Sequence, residues 1–292
     1  MTRRIDPLPQ PLQSGPFSTR AALDAGVGAR RLRRSDLVRP IRGFRIAKAD
    51  DGLVSRCRAY ASHRGTDFAF SHTTAALLYG IPLPRVDGTI HVSVRAPGRA
   101  PTIEGFAGHK LGRWEIRMVA DLPVTTPEQT WLDLAQLLHR DALVAAGDYL
   151  VGGVEPLTDR LALAHAAAAA AGRRGVGRAR EAIELVRAGA ESPGETRLRL
   201  LLAEAALPSP VLNHELRTAA GAFVARVDFA FIAKRVALEY EGDIHRVDQA
   251  VWRKDLRRRE RVEDLGWRMV RVTADDIATP AELIRRLRRL LA

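Results

Sequence analysis

The sequence predicts a multidomain α/β chain. Three observations carry that expectation: the length, the mixture of helical and alternating apolar patterns, and the changes of composition along the chain. With 292 residues the chain can bury a sizeable core and form more than one domain. Apolar residues recur at helical spacing in some segments and alternate strictly in others. A Pro-rich start gives way to an alternating region, then an alanine-rich one, then a final stretch of strands and helices.

The first segment, "FSTRAALDAGVGARRLRRSDLVRPIRGFRIAK", reads as two short helices and a β-wing. Ser18 or Thr19 caps a helix through Asp24, Gly26 ends it, and "GARRLRRSDLV" continues at helical period. Pro40 breaks the pattern and "IRGFRIA" turns tightly about Gly43. This is the order of a winged helix-turn-helix over residues 1–60, with Arg30, Arg31, Arg33 and Arg34 on the second helix facing DNA. An ordinary helical hairpin with a solvated basic face fits the same residues.

Residues 61–152 read as a small α+β domain. "SHTTAALLYGIPLP" is a capped helix stopped by Gly80, "TIHVSVRA" and "WEIRMVA" alternate as strands, and "TPEQTWLDLAQLL" opens a helix with Pro127. His72, His91 and His109 lie here without metal-ligand spacing and read as solvated or core histidines. Residues 153–190 form a helical connector, ending in a boundary loop from Gly189 to Gly194.

Residues 191–292 read as helix 195–206, strands 223–232 and 235–241, helix 247–264, strand 267–273 and helix 281–291. The last repeats Leu283, Ile284, Leu287, Leu290 and Leu291 on one face. If the hairpin in "RVDFAFIAKRVALEYEGDIHR" turns about Ala233 and Lys234, Asp228 faces Glu239 and Arg226 faces Glu241. Cross-strand partners lie roughly 5 Å apart, so this pair of carboxylates repels. Val227, Phe229, Phe231, Val236, Leu238 and Tyr240 fill the other face and enforce the register. Ala230 and Ala237 beside the acids leave room for a ligand. A hard divalent cation held by Asp228 and Glu239 would relieve the repulsion. Salt bridges to arginines, with Glu241 paired to Arg226, would do so as well.

The totals favour a polyanionic partner. The net charge is +12 and the pI near 10.9, which fits nucleic acid, although a solvated basic surface gives the same sum. Nearly all of that charge is arginine, the lysines being Lys48, Lys110, Lys234 and Lys254. A single cysteine, Cys57, rules out an intrachain disulfide or a cysteine-based zinc cluster and points to a reducing, cytoplasmic setting. No signal-peptide core is visible, and "LALAHAAAAAA" falls short of the ~20 apolar residues of a membrane span.

"SPGETRLRLLL", "RVDFAFIAKRVALEYEGDIHR" and "KDLRRRERVEDLGWRMVRVTADDI" together resemble the very-short-patch-repair-type endonuclease domain of the PD-(D/E)XK superfamily, in a branch common in actinobacteria. The resemblance covers 191–292 and implies a restriction-endonuclease-like mixed sheet flanked by helices. It implies catalytic roles for Glu195, Asp228, Glu239, Glu241 and His245, with Mg²⁺ (or Mn²⁺) on Asp228 and Glu239. The superfamily's lysine after the second acid is replaced by Glu241. Water activation then falls to the metal, His245, Lys254 or Arg258. Helix capping explains Glu195 equally, since Ser192 stands three residues before it. Lys254, Arg257 and Arg258 in "RKDLRRRER" are expected to contact phosphates.

Residues 17–150 more loosely resemble abortive-infection type IV antitoxin-like proteins, through "TRAALDAGV", "RGFRIA", "SHTTAALLYGIPLP" and "VTTPEQTWLDLA". That likeness implies DNA binding and promoter autoregulation, with a toxin as partner. The expected function is therefore a metal-dependent endonuclease on double-stranded DNA. The alternative is a non-catalytic DNA-binding regulator or antitoxin-like protein whose nuclease fold serves binding or homodimerisation.

Overall fold

The computed structural model describes residues 6–242 and 249–292, the latter stretch with side chains from 257 onward. Eleven α-helices and three sheets are present among these residues, a mixed α/β architecture as expected. None of the described helices is long and apolar enough to cross a membrane. The chain divides into two compact units, Met1–Leu134 and Ala135–Ala292.

The first unit opens with β1 (Phe17–Ser18), α1 (Thr19–Asp24), β2 (Leu37–Val38), β3 (Phe44–Ala47) and α2 (Leu53–Arg64). The Ser18 hydroxyl caps α1 by accepting from the Ala21 N–H, as its sequence position indicates. β2 and β3 pair antiparallel about Gly43, whose φ of +85° needs glycine. The expected second helix is instead a three-residue 3₁₀ turn, Arg31–Arg33. Arg31 forks onto both oxygens of Asp36 at 3.0 and 2.7 Å, and the chain has become extended by Arg34, turning it into β2. Helix α2 escapes sequence reading because it buries only Cys57, Ala59 and Tyr60, which make no apolar stripe. Burial pushes the Cys57 thiol up to about 12, so it is inert at neutral pH.

The rest of this unit is a five-stranded sheet in the order β6-β5-β4-β8-β7. Its strands are β4 (Phe68–Phe70), β5 (Ile90–Arg95), β6 (Phe106–Leu111), β7 (Ile116–Val119) and β8 (Leu122–Thr125). Helices α3 (His72–Leu78) and α4 (Pro127–Leu134) complete it. Both helices, β5 and β7 lie where the apolar pattern puts them.

The second unit holds α5 (Arg140–Val151), α6 (Arg160–Ala169), α7 (Val176–Leu185) and α8 (Pro193–Glu204). After these come β9 (Val211–Arg217), β10 (Phe223–Phe231), β11 (Val236–Glu241), α9 (Gln249–Asp264), β12 (Arg268–Thr273), α10 (Ala274–Ala278) and α11 (Ala281–Leu291). Residues 135–152, read as the end of the middle domain, and the connector 153–190 both belong here, since α5 packs with α7 and α8. The loop expected as a boundary is tied to the sheet, with the Gly189 carbonyl accepting from Asn213 and Glu191 paired to Arg226 at 2.6 Å.

The sheet runs β12-β11-β10-β9, with β10 antiparallel to both neighbours and β11 parallel to β12. One face packs Phe229, Phe231, Val236 and Leu238 against Leu198 and Leu202 of α8 and Leu283 and Leu287 of α11. Val262 of α9 packs with Ala230, Ala237 and Met269, and Val227 belongs to that cluster rather than the first.

Candidate functional site

The β10–β11 hairpin has the expected register: Phe229 pairs with Leu238, Ala230 with Ala237 and Phe231 with Val236. A four-residue connection closes it, with Arg235 in the left-handed conformation. Beyond Phe229 the backbone ladder gives way to a side chain, for the Tyr240 N–H donates to Asp228 Oδ2 at 2.8 Å. Asp228 and Glu239 therefore stand on adjacent strands where the ladder opens. Glu195 approaches from the first turn of α8. That approach needs Gly194, because a Cβ there would run into the Tyr240 ring.

Burial pushes the Asp228 carboxyl up to about 6. The Tyr240 N–H and, to a smaller extent, Arg258 act against this, while Glu195 and Glu239 reinforce it. Both oxygens of Glu195 are also used in helix capping: Oε2 accepts from the Glu191 N–H and Oε1 from the Ser192 hydroxyl, each at 2.8 Å. The capping and the metal-site readings of Glu195 thus meet in one side chain.

The compensating cations come from elements that lie later in the chain. Arg258 of α9 donates to Glu239 Oε1 and to the Arg226 carbonyl, the latter at 2.7 Å. Glu241 pairs with Arg271 of β12 at 3.0 Å. The expected Glu241–Arg226 pair is not formed, because Arg226 reaches Glu191 instead. The space expected over Ala230 and Ala237 is also filled, since their small size admits Val262 of α9. Among the described residues, Asp228, Glu239 and Glu195 are the carboxylates that stand together at the open end of the hairpin.

His245 lies outside the described residues, as does the side chain of Lys254. Arg257 is exposed on α9, whereas Arg258 is drawn into the acidic site. In the first unit, Arg30 and Arg33 are exposed and Arg34 half-buried; Arg31 is committed to Asp36. Trp267 is half-buried and packs against the second cluster of the sheet.

Sequence reading missed one constellation. His72 of α3, His91 of β5 and His109 of β6 offer one ligand atom each, all within 4.8 Å of one another. His72 is buried and the other two are half-buried. Parallel pairing of β5 with β6 sets Ser93 beside His109, which places His91 diagonally from it on the same face. His91 Nδ1 and His109 Nε2 are 3.0 Å apart, and the His72 ring stacks on His109 with centroids 3.8 Å apart. Burial lowers the pKa of His91, and burial together with His91 lowers that of His109 to about 4, so both are neutral at pH 7.

No family model matches the chain. Uncharacterized protein MT2308 and Uncharacterized protein Rv2248, from the CDC 1551 / Oshkosh and H37Rv strains of Mycobacterium tuberculosis, are each 30% identical to it over 276 residues. The match spans 94% of this chain and 97% of theirs. The chain belongs to the Rv2248 family. A solved structure, "Crystal structure of RV2827C protein from Mycobacterium tuberculosis", aligns with 70% of this chain and 84% of its own at 16% identity and a TM-score of 0.40.

In this member of the Rv2248 family the acidic site has a measurable signature. A carboxyl with a raised native pKa binds its proton more tightly when folded. Its contribution to stability is therefore present at low pH and lost as pH rises from about 4 through about 6. Discounted for partial solvent exposure, the loss is about 1–2 kcal/mol. In urea unfolding with a chelator present, wild type should lose this much relative to Asp228→Asn between pH 4 and 7.5. Parallel profiles would show that Asp228 titrates alike in the folded and unfolded states.

Proposed function

We propose that this chain is a DNA-binding, metal-dependent phosphodiester hydrolase whose second unit carries a restriction-endonuclease-like site. The observation that carries the reading is the convergence of Asp228, Glu239 and Glu195 at the open end of a hairpin, with Asp228 short of positive charge. Oxygen donors on two adjacent strands are the set that Mg²⁺ or Mn²⁺ takes, with water filling the remaining positions. Among the described residues Asp228 Oδ2 and Glu239 Oε1 have partners, which leaves Oδ1 and Oε2 to hold the cation. Bound there, the metal would polarise a phosphate oxygen and acidify a water. Arg258 neutralises Glu239 in the metal-free protein, and exposed Arg257 on the same helix suits a phosphate. The β2–β3 hairpin beside α1, with Arg30 and Arg33 exposed, supports a wing-like DNA contact in the first unit.

A second reading is favoured by a specific observation. Glu239 and Glu241 already have arginine partners, and Glu195 caps its helix, so the acids form a satisfied ion-pair network. On that reading the protein is a non-catalytic DNA-binding regulator, of the kind a toxin would accompany. Incubation with supercoiled plasmid and Mg²⁺ or Mn²⁺ separates the two. The hydrolase should nick or cut, and Asp228→Asn or Glu239→Gln should each reduce the rate more than about 100-fold, beyond the cost of losing an outer-shell partner. Plasmid binding should survive in both variants. Binding without cleavage by the wild type would establish the regulator.

A further inference from the structure

We propose that His72, His91 and His109 form a second metal site, distinct in chemistry from the acidic one, for a first-row divalent cation of the Zn²⁺ class. Imidazole nitrogen suits Zn²⁺ and its neighbours, whereas Mg²⁺ seeks oxygen. Three histidines with a further open position are the donor set of solvent-accessible zinc centres.

Geometry carries the assignment. Two nitrogens bound to one tetrahedral zinc at 2.0–2.1 Å stand about 3.3 Å apart. His91 Nδ1 and His109 Nε2 are already at 3.0 Å, and the whole set spans no more than 4.8 Å. The three rings are stacked nearly parallel, 6–22° between planes, so taking up the ion requires them to swing about χ2, a broad and soft torsion, and to release the proton between His91 and His109.

The surroundings resemble the outer shell of a metal site. His72 Nδ1 lies 3.0 Å from the Ser71 hydroxyl and 3.6 Å from the buried carboxylate of Asp133, which makes Nε2 the nitrogen to assign to the metal. Metal-bound histidines characteristically present their second nitrogen to such a carboxylate. Asp133 is fixed in turn by Gln129 Nε2 at 2.7 Å, and Ser71 by the Ser93 hydroxyl at 2.9 Å. The Thr74 hydroxyl accepts from the His91 N–H at 2.8 Å, fixing the strand that carries the second ligand. His72 itself has φ +51°, a conformation that non-glycine residues hold only where their surroundings enforce it. Of the ten buried polar or charged residues among those described, seven belong to this unit: Ser71, His72, Thr74, Ser93, Thr125, Thr130 and Asp133. A core that only had to pack would not need them together.

The test uses the full chain without an affinity tag, stripped with a chelator and titrated with Co²⁺. A visible d–d band saturating at one equivalent and abolished by Zn²⁺ is expected. His109 is the residue to change, because it is half-buried on the edge strand β6 and its loss leaves the core intact. His109→Asn should remove the band and weaken affinity at least about tenfold. Asp228→Asn should keep the band in full, so failure of the acidic site does not touch this result. A measurement on the wild type alone guards against a misfolded variant. In long-range ¹H–¹⁵N spectra, one equivalent of Zn²⁺ should shift three imidazoles of the eight in the chain. A wild type with no saturable Co²⁺ band, unchanged binding by folded His109→Asn, or shifts at other histidines would each overturn the proposal.

Discussion

Replacement of Asp148 by Ala is expected to lower the unfolding free energy by about 3–5 kcal/mol, the cost of orphaning a buried charge. Asp148 is 1% exposed on α5 and joins three segments of the second unit. Its Oδ2 accepts from the Thr196 hydroxyl at 2.9 Å and from Arg199 Nη2 at 2.7 Å; its Oδ1 accepts from the Arg187 N–H at 2.7 Å. Arg199 is also buried, and its other described contact is to the Leu185 carbonyl at 2.9 Å. Truncating Asp148 therefore leaves a buried guanidinium without its counter-ion and a backbone N–H without its acceptor, against a total stability of only about 5–15 kcal/mol for a typical domain. Equilibrium urea unfolding measures the loss. The double replacement Asp148→Leu with Arg199→Met should recover most of it, since no buried charge remains. A single-variant loss below about 1 kcal/mol would mean that water reaches Arg199 once the carboxylate is gone.

Gly194→Ala is expected to cost about 1–3 kcal/mol, the range for overpacking, although alanine is the better helix former. Its added methyl would occupy the position of the Tyr240 ring, so either the ring or the first turn of α8 must withdraw. Glu195 travels with that turn, and the acidic site loosens with it. Thermal melting of Gly194→Ala, of Tyr240→Ala and of the combination forms a cycle. The methyl should cost much less once the ring is absent, giving a coupling of about 1 kcal/mol or more. Additive losses would mean that α8 does not bear on Tyr240 in solution.

The hairpin was legible because burial dictates it. Phe229 and Phe231 opposite Leu238 and Val236 leave a single register, and that register puts Asp228 beside Glu239. Helix α11 was legible for the same reason, with its leucines on one face. Strand β9 was not, because it lies at the sheet edge and buries only Leu216, so "VLNHELR" never alternates cleanly. Strand β4 has three residues, all buried, too few to display a period. The arginine-rich segment after Gly28 reads as helix by spacing, yet the Arg31–Asp36 fork turns it into a strand approach. At the site, the acids followed from local pattern, while Arg258 and Arg271 arrive through tertiary packing that no local period announces. The histidines stayed hidden because a parallel strand pair makes neighbours of residues 18 apart.

The central strand β11 acquires its two partners at very different times. Its antiparallel neighbour β10 is four residues away, a closure on the order of microseconds, whereas β12 pairs in parallel only after residues 242–267 have been traversed. On a ribosome adding about 5–20 residues per second, Arg258, which follows Glu239 by 19 positions, emerges about one to four seconds later. For that interval the nascent hairpin holds two facing carboxylates and neither of the arginines that later neutralise Glu239 and Glu241. A cation that screened them in that interval would act on the growing chain, before either arginine could.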